Sequence, residues 1–392
     1  MPTARWLNRT VLGIGLASLL ADWSHEIATT ILPAFLASMG VAAAWLGLIE
    51  GLSDGLSSFA KMASGFYTDR LARRKKIAVL GYFVTTLGTG LIGLATSAWQ
   101  VLIARSVAWL GRGVRTPVRK ALLAASVSPD CLGRAFGLER MMDTLGGIAG
   151  PLSAVLLLRA AHSHYPSVFA WTLIPGMLAA ASMAFLVQEK ERVRVSHITF
   201  GQSLRTLPAS FRQYLVAVGT FGLGDFAHTL LILLATERLT PSLGAARAAG
   251  LAATLYVLHN VLYASFSYVA GWLADRMSKR HLLAAGYLIG ALMASAIVFA
   301  PLTLPVLVAV FVLGGIYVAI EETLEDTLCA ELVSEAQHGM AFGMLATVNG
   351  IGDFASSVVV GLLWTTFGTA VAFGYSAALF LAGSLLVARL RA

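Results

Sequence analysis

Three ionisable side chains stand within five residues of one another in an otherwise apolar stretch near the start of the chain. Asp22, His25 and Glu26 lie in the segment ADWSHEIATT, with apolar runs on both sides. Together with Thr29 they are spaced at i, i+3, i+4 and i+7, which places them on one face of a helix. Histidine titrates near neutral pH, and carboxylates beside it can exchange protons with it. The segment therefore predicts a polar helix face that takes up and releases protons.

Ionisable residues recur in apolar stretches at three other places in the chain. Asp225 and His228 repeat the Asp-x-x-His spacing 203 positions later. A row of arginines and a row of acids also follow helical spacing: Arg105, Arg112, Arg115 and Arg119 in one stretch, and Glu321, Glu322, Glu325 and Asp326 in another. Arginines suit an anionic ligand. The alternative is a transition-metal site, because Asp and His are suitable ligands for Mn, Fe, Co, Ni or Zn, and its residues would be Asp22, His25, Asp225 and His228.

The composition predicts that helices buried in a membrane position these charges. The 392 residues are 57% hydrophobic and 12% charged, with a mean hydropathy of +0.77, whereas soluble domains carry about 25% charged residues. A membrane-spanning helix needs about 20 apolar residues, and twelve such runs fill the sequence. They leave no room for a sizeable soluble domain. An ionisable residue near the centre of a span costs about 2.5–3.5 kcal/mol, so its expected role is functional.

The net charge of +8 reflects topology. Lysines and arginines cluster in alternate loops, which predicts an even number of spans with both termini in the cytoplasm. The sequence shows no basic face with interleaved aromatic residues, so we expect no nucleic-acid partner. A multi-pass protein of the inner (plasma) membrane is the expected location.

The chain contains two related halves. GFYTDRLARR begins at Gly65, and GWLADRMSKR begins at Gly271, 206 positions later. This spacing predicts parallel repeats with a binding site at the midplane between them. The expected domains are an N-terminal six-helix bundle, a cytoplasmic linker and a C-terminal six-helix bundle, over residues 1–187, 188–208 and 209–392.

The doubled loop resembles the signature loop of the major facilitator superfamily, G-x-x-x-D-R-x-x-R-R. Its matching positions are Gly65, Asp69, Arg70 and Arg73 in the first half, and Gly271, Asp275, Arg276 and Lys279 in the second. The pattern Gly146-x-x-x-Gly150-Pro151 is similar to the antiporter motif of that superfamily. The resemblance implies an all-α membrane protein with twelve transmembrane helices in two pseudo-symmetric six-helix bundles. It also implies alternating access, and that spans 1, 4, 7 and 10 line a central cavity.

The loop residues have a physical interpretation of their own. Gly65 and Gly271 allow a neighbouring helix to approach closely, and Asp69 and Asp275 can stabilise a helix N-terminus. Such contacts can form a latch that releases when the halves move. Arg119 and Glu325 are related by the 206-residue offset, and pairing between them would close the same end of the cavity. The alternative is that these charges only orient the chain in the membrane.

We therefore expect a secondary active transporter, driven by a proton gradient and without a cofactor. The leading hypothesis is proton-coupled antiport, in the efflux direction, of a small organic solute, with an anion as one candidate class. In this hypothesis five residues handle protons or substrate: Asp22, His25, Glu26, Asp225 and His228. Three arginines attract an anionic group of the substrate: Arg105, Arg112 and Arg115. Glu321 and Glu322 compete with the substrate for these arginines.

This hypothesis has three alternatives. The first is a divalent transition-metal transporter that uses the Asp and His pairs. The second is a receptor or scaffold that does not transport. The third is an enzyme, which is not expected, because the chain has no phosphate-binding loop and no dinucleotide-binding loop. The expected partners are the solute or ion, protons and the lipid bilayer, and we expect a monomer.

Overall fold

The computed structural model describes residues 6–41, 43–162, 164–189 and 205–390. These residues contain α-helices, short 3₁₀ turns and no β-strand. In chain order the α-helices, α1 to α13, are Arg9–Ser38, Ala43–Thr68, Lys75–Leu91, Ala98–Ala124, Leu132–Ala160, Tyr165–Phe185, Ala209–Gly222, Thr229–Leu243, Ala245–Ala274, Lys279–Phe299, Leu304–Leu332, His338–Phe367 and Thr369–Ala388. The predicted linker lies mostly outside the described residues, and so do its basic residues Lys190, Arg192 and Arg194.

Side-chain caps show why some helices begin where they do. The Asn8 side chain accepts hydrogen bonds from the backbone N–H groups of Thr10 and Val11, both at 2.9 Å, so α1 starts at Arg9. At α3, the Glu189 carboxylate accepts from the N–H groups of Arg74 and Lys75, at 2.7 and 3.0 Å. A carboxylate at this end also complements the helix dipole.

The chain forms two compact units. The first comprises residues 1–206 and 333–347, and the second comprises residues 207–332 and 348–392. In the first unit, α1 packs against α5 and α6, α2 against α4, and α3 against α4 and α6. In the second unit, α9 packs against α8 and α11, and α10 and α7 pack against α13. The boundary falls within α12, whose first turns belong to the first unit.

Eight of the described helices are long and apolar enough to cross a membrane. Helices α1, α2 and α4 fall outside that criterion, although they contain 30, 26 and 27 residues. They carry many of the charged residues discussed below. Many large apolar side chains of the helices are exposed on the surface of the protein, as expected where lipid is the solvent.

The seventh predicted span differs from the expectation of one continuous helix over 209–236. The helix ends at Gly222 and resumes at Thr229, so Asp225 and His228 lie in or next to a break. The expectation that these two residues repeat the helical face of α1 was therefore wrong. Side chains of α12 satisfy part of the open backbone: Ser356 donates to the Asp225 carbonyl oxygen, and the Ala227 N–H donates to Ser357 Oγ at 3.1 Å. Such breaks are tolerated inside membranes where the backbone finds partners.

Candidate transport site

Glycines of α5 hold it tightly against the polar face of α1. A Cβ atom added at Gly146 would overlap the Leu19 carbonyl oxygen, and one added at Gly150 would overlap Glu26. A Cβ at Gly147 would lie 3.2 Å from Oδ2 of Asp22. Small residues of this kind permit close helix packing in membranes. The Gly146-x-x-x-Gly150-Pro151 pattern lies inside α5. It therefore packs directly against the segment of α1 that carries Asp22 and Glu26.

Arg112 and Asp22 form an ion pair between α4 and α1. The distance from Arg112 Nη2 to Asp22 Oδ1 is 3.2 Å. Both side chains keep some exposure, 31% for Arg112 and 15% for Asp22. The contact is one hydrogen bond and not the bidentate arrangement that makes such pairs strongest. A ligand that reaches this place can compete for the guanidinium group.

Trp109 of α4 lies at the centre of the charged face. Its ring centroid is 4.3 Å from the His25 ring centroid, and the guanidinium carbons of Arg105 and Arg112 lie 4.3 and 5.2 Å from the Trp109 ring. The indole N–H donates to Asp54 of α2 at 2.5 Å. Arginines stacked on an indole gain a cation–π attraction. Trp109 thus fixes the positions of two arginines and one histidine.

Arg105 connects three helices. Its Nη2 donates to Thr29 of α1 at 3.1 Å and to Glu50 of α2 at 3.0 Å. Thr29 Oγ1 in turn lies 3.3 Å from His25 Nε2, which is 3.8 Å from Glu26 Oε1. Nδ1 of His25 is buried and has no hydrogen-bond partner in the described residues. The proton-accepting groups predicted on α1 are therefore all within one network with Arg105 and Arg112.

Arg119 belongs to a buried network of its own unit. It lies 2.9 Å from Glu139 and 3.6 Å from Asp143 on α5, and it donates to Ser18 at 2.6 Å. Arg140 adds a second cation to Asp143, at 3.3 Å. The sequence predicted a pairing between Arg119 and Glu325. Within the first unit these are the recorded partners of Arg119, and the pairing with Glu325 stays a prediction.

In the second unit, tyrosines and an asparagine hold the buried Glu325 and the half-buried Glu322 and Asp225. Glu325 accepts from Tyr287 at 2.5 Å and from Asn349 at 2.6 Å. Glu322 accepts from Tyr263 at 2.6 Å, and Asp225 accepts from Tyr317 at 2.9 Å. Glu321 is buried, and no hydrogen bond or ion pair of its carboxylate occurs in the described residues. None of the described buried residues of this unit is a lysine or an arginine.

A pair of histidines lies near the break of the seventh span. The ring centroids of His228 and His259 are 4.7 Å apart, and His259 is buried. Nε2 of His228 and Nδ1 of His259 are buried without a partner in the described part of the chain. His259 was not anticipated from the sequence.

The first signature loop has the contacts predicted for it. The Asp69 carboxylate accepts from the N–H groups of Gly339 and Met340, at 2.9 and 2.7 Å, at the start of α12. A Cβ atom at Gly65 would overlap the Gly339 carbonyl oxygen. The close approach at Gly65 and the position of Asp69 at a helix N-terminus are thus confirmed. The buried Arg74 lies 3.7 Å from Asp69 and donates to the Ala121 carbonyl oxygen.

Other loop residues have local contacts. Arg70 stacks on Phe66, with the guanidinium carbon 4.0 Å from the ring centroid, and Arg73 is exposed. In the second loop, which begins at Gly271 and includes Asp275, Arg276 stacks on Trp272 at 3.8 Å. Lys279 pairs with Glu331 of α11 at 2.8 Å.

Comparison with known proteins identifies the family. The profile of the Major Facilitator Superfamily matches residues 14–234 and 214–392. The chain belongs to this superfamily. The resemblance seen in the signature loops is thereby confirmed, and so is the all-α fold of twelve transmembrane helices in two bundles. The protein is a multi-pass membrane protein and a secondary transporter, not an enzyme, and members of this superfamily generally need no cofactor.

Relatives of this superfamily member include proteins without an assigned substrate and one with a drug-related name. An uncharacterized MFS-type transporter of Methanocaldococcus jannaschii is 29% identical over 360 residues, which cover 92% of this chain and 89% of that protein. The multidrug resistance protein MdtH of Citrobacter koseri is 24% identical over 306 residues, covering 76% of this chain and 73% of MdtH.

Solved structures of superfamily transporters share the fold. The human organic anion transporter MFSD10 superposes with a TM-score of 0.80 at 16% identity, covering 99% of this chain and all of that one. The transporter FucP, in its outward conformation, gives a TM-score of 0.77 at 15% identity, covering 97% of this chain and 98% of FucP. At these identities the likeness concerns the fold alone.

Sequence reasoning missed the aromatic residues of the site. Trp109, Tyr263, Tyr287 and Tyr317 all contact predicted charged residues. Aromatic residues of membrane helices are commonly interfacial anchors, and their spacing alone does not distinguish the two roles. For Trp109 and Tyr317 the available signal was their position one turn from Arg105 and Glu321 on the same helix.

The metal alternative gains little from the geometry. No group of three or more His, Cys, Asp or Glu side chains that could hold a metal ion occurs in the described residues. Arg105 and Arg112 stack on the same indole as His25, and their positive charge opposes a cation there.

Proposed function

We propose that the protein is a proton-coupled secondary transporter of a small organic anion. The contact that carries this proposal is the accessible ion pair of Arg112 with Asp22. An anion can take the place of Asp22 on the guanidinium group, and a proton on Asp22 releases the same group. Arg105, His25 and Glu26 lie in the adjoining network, where they can orient the anion and exchange the proton. The acids of the second unit, Glu321 and Glu322 among them, are further candidates for carrying protons.

Export by proton antiport is the direction that the sequence predicts. The contact of Gly146 and Gly150 with α1 supports this direction, because the two glycines belong to a pattern that resembles the antiporter motif. The same pattern packs against the part of α1 that carries Asp22. Similarity to a multidrug resistance protein is consistent with efflux. Antiport requires that the substrate bind better when the coupling groups have lost their protons.

Co-transport of the anion with a proton is a second candidate, and the Arg112–Asp22 contact favours it. When an anion occupies Arg112, Asp22 loses its counter-charge and is more easily kept neutral by a proton. Anion and proton then bind together, which is the opposite linkage to antiport. The two directions are therefore distinguishable by experiment.

Proton movement in proteoliposomes tests the function. Liposomes loaded with a pH-sensitive dye receive benzenesulfonate or succinate outside, since these charged probes cross bare bilayers poorly. Antiport makes the interior more alkaline as the anion enters, whereas co-transport makes it more acidic. Asp22→Asn should abolish proton movement, and the exposed Asp130→Asn should not change it. Absence of any protein-dependent flux of either labelled probe would contradict the proposal.

A latch is proposed at the first signature loop. The Asp69 carboxylate accepts hydrogen bonds from two backbone N–H groups at the start of α12. A neutral Asn would weaken this contact and so destabilise the conformation of the transport cycle in which the latch is closed. We expect Asp69→Asn to reduce probe flux several-fold, with Asp130→Asn as the control. Unchanged flux would assign Asp69 to stability or orientation alone.

The positive loops support a plasma-membrane protein whose two termini face the cytoplasm, and we propose that it acts as a monomer. Reporter fusions at each terminus and the mass of the purified protein test these two points. A periplasmic terminus or a stable dimer would contradict them.

A further inference from the structure

Arg115 of α4 is a buried cation that forms no ion pair in the described residues, and the carboxylate of Asp143 attracts it only from beyond contact distance. Only 4% of its surface is exposed, and its Nε and Nη1 atoms are buried and have no hydrogen-bond partner in the described chain. The contact that the structure records is with Tyr82 of α3, whose ring centroid lies 4.0 Å from the guanidinium carbon.

The neighbouring arginines of α4 differ in this respect. Arg105 lies 3.0 Å from Glu50, Arg112 lies 3.2 Å from Asp22, and Arg119 lies 2.9 Å from Glu139. Arg115 is the member of this row that has no ion pair among the described residues. The difference is not one of exposure, because Arg105 is buried to a similar degree.

A buried guanidinium group that lacks an acceptor is unfavourable. Arginine does not lose its proton in proteins, so it cannot escape the cost of burial by becoming neutral. Buried charges are therefore normally paired or hydrogen-bonded. An aromatic ring face offsets part of this cost by a cation–π attraction. It does not accept hydrogen bonds from the N–H groups, which point outward in the plane of the guanidinium group.

The phenol group of Tyr82 has the same deficiency. Its hydroxyl oxygen is buried and has no partner in the part of the chain that the structure describes. Close packing holds the two residues together, since a Cβ atom at Gly81 would lie 2.8 Å from Arg115 Cβ and 2.9 Å from the Gly111 carbonyl oxygen. Two kinds of donor, N–H and O–H, thus lack an acceptor in one place.

We propose that Arg115 and Tyr82 form an anion-binding subsite that takes one small anionic group, such as a carboxylate, a phosphate or a halide. The group is either a second acidic group of the transported anion or a free inorganic anion. The first source rests on the proposed function, whereas the second does not. The subsite is distinct from the Arg112–Asp22 pair because no carboxylate of the protein must be displaced to fill it.

Thermal unfolding of the purified protein in a bulky sulfonate buffer tests the subsite. The probes are chloride, phosphate, propionate and succinate at constant ionic strength. The variants are Arg115→Gln, which removes the charge, and Tyr82→Phe, which removes only the hydroxyl. Arg276→Gln is the matched control, because Arg276 also stacks on an aromatic ring but is exposed.

The expected result is a melting temperature that rises with anion concentration in the wild type and in Arg276→Gln. The rise should be lost in Arg115→Gln and at least halved in Tyr82→Phe. Without anion, Arg115→Gln should melt above the wild type, since it removes an unpaired buried charge.

The pattern among the probes identifies the source. Stabilisation by chloride or phosphate assigns the subsite to a free inorganic anion. Stabilisation by succinate, with none by propionate or the inorganic anions, assigns it to a second acidic group. Stabilisation by no probe, or an equal rise in Arg115→Gln, overturns the subsite. The proposed function is tested separately by probe flux in liposomes. If the subsite is overturned but Arg115→Gln still transports the probe, the proposed function is unaffected.

Discussion

The polar centres of the two units neutralise a buried carboxylate in different ways. In the first unit, Glu139 is held by Arg119 at 2.9 Å. In the second unit, Glu325 is held by Tyr287 and Asn349, at 2.5 and 2.6 Å, without a cation. The positions are related, because Arg119 and Glu325 are separated by the 206-residue offset of the repeat.

A tyrosine occupies an equivalent position in both units. Tyr82 and Tyr287 each follow a glycine, Gly81 and Gly286, at an offset of 205 residues. In the first unit the ring face of Tyr82 lies under a guanidinium group, whereas in the second unit the Tyr287 hydroxyl donates to a carboxylate. A tyrosine can serve either charge, since its ring face is negative and its O–H is a donor. The repeat therefore keeps the tyrosine while the charge beside it changes sign.

This difference indicates a division of labour. Arginines that cannot lose their proton give the first unit a fixed positive charge, which is suited to an anion. Carboxylates that are hydrogen-bonded but have no cation beside them are cheaper to bury as neutral acids than as ions. We therefore propose that the second unit carries the protons and that the first binds the anion.

The largest expected effect concerns the ion-pair network of the first unit. Arg119→Met leaves Glu139 buried beside no other cation that the structure records, and we expect it to lower the free energy of unfolding by about 3–5 kcal/mol. Denaturant unfolding of the purified protein measures this. The control is Lys279→Met, which breaks a more exposed pair and should cost about 0–1 kcal/mol. Equal losses in both variants would remove the distinction between the units.

The two tyrosines should respond differently to loss of the hydroxyl. Tyr287→Phe leaves Oε1 of Glu325 without its donor in a buried place, so we expect a loss of about 1–3 kcal/mol. Tyr82→Phe removes a hydroxyl that has no partner in the described chain, so in anion-free buffer it should stay within about 0.5 kcal/mol. The same unfolding measurement applies, and a reversed order would show that the hydroxyl of Tyr82 is the one engaged.

A small effect is also expected for Glu325→Gln. A glutamine amide resembles the neutral acid, and Asn349 can turn its free, buried Oδ1 towards the new N–H group. We therefore expect a change of less than about 1 kcal/mol. If Glu325→Gln destabilises the protein as much as Arg119→Met, the carboxylate is ionised and requires a cation.

The fold was predictable from the sequence to a large extent. Apolar runs of about 20 residues and the doubled loop at Gly65 and Gly271 indicated the helices and the repeat. The position of Asp69 followed from the chemistry of a carboxylate at a helix N-terminus. The broken seventh span was not predicted, because its residues are apolar enough for a continuous helix. Its partners, Ser356 and Ser357, lie some 130 residues away.

The site was predictable in its charged residues but not in their partners. Helical spacing correctly grouped Asp22, His25 and Glu26 on α1, and it did not show that Arg105 would bind Glu50 of α2. Nor did it show that Trp109 lies between Arg105, Arg112 and His25. These contacts depend on how helices pack, and a periodicity along one helix carries no information about the rotation of its neighbour.

The most direct test of proton coupling at Asp22 is the affinity of the transported probe anion as a function of pH. Because one carboxylate is linked to the anion, log Kd should change by up to about one unit per pH unit in the wild type. In Asp22→Asn it should be nearly independent of pH. An affinity that weakens as pH rises indicates co-transport, and one that strengthens indicates antiport. The same pH dependence in the wild type and in Asp22→Asn would contradict the account.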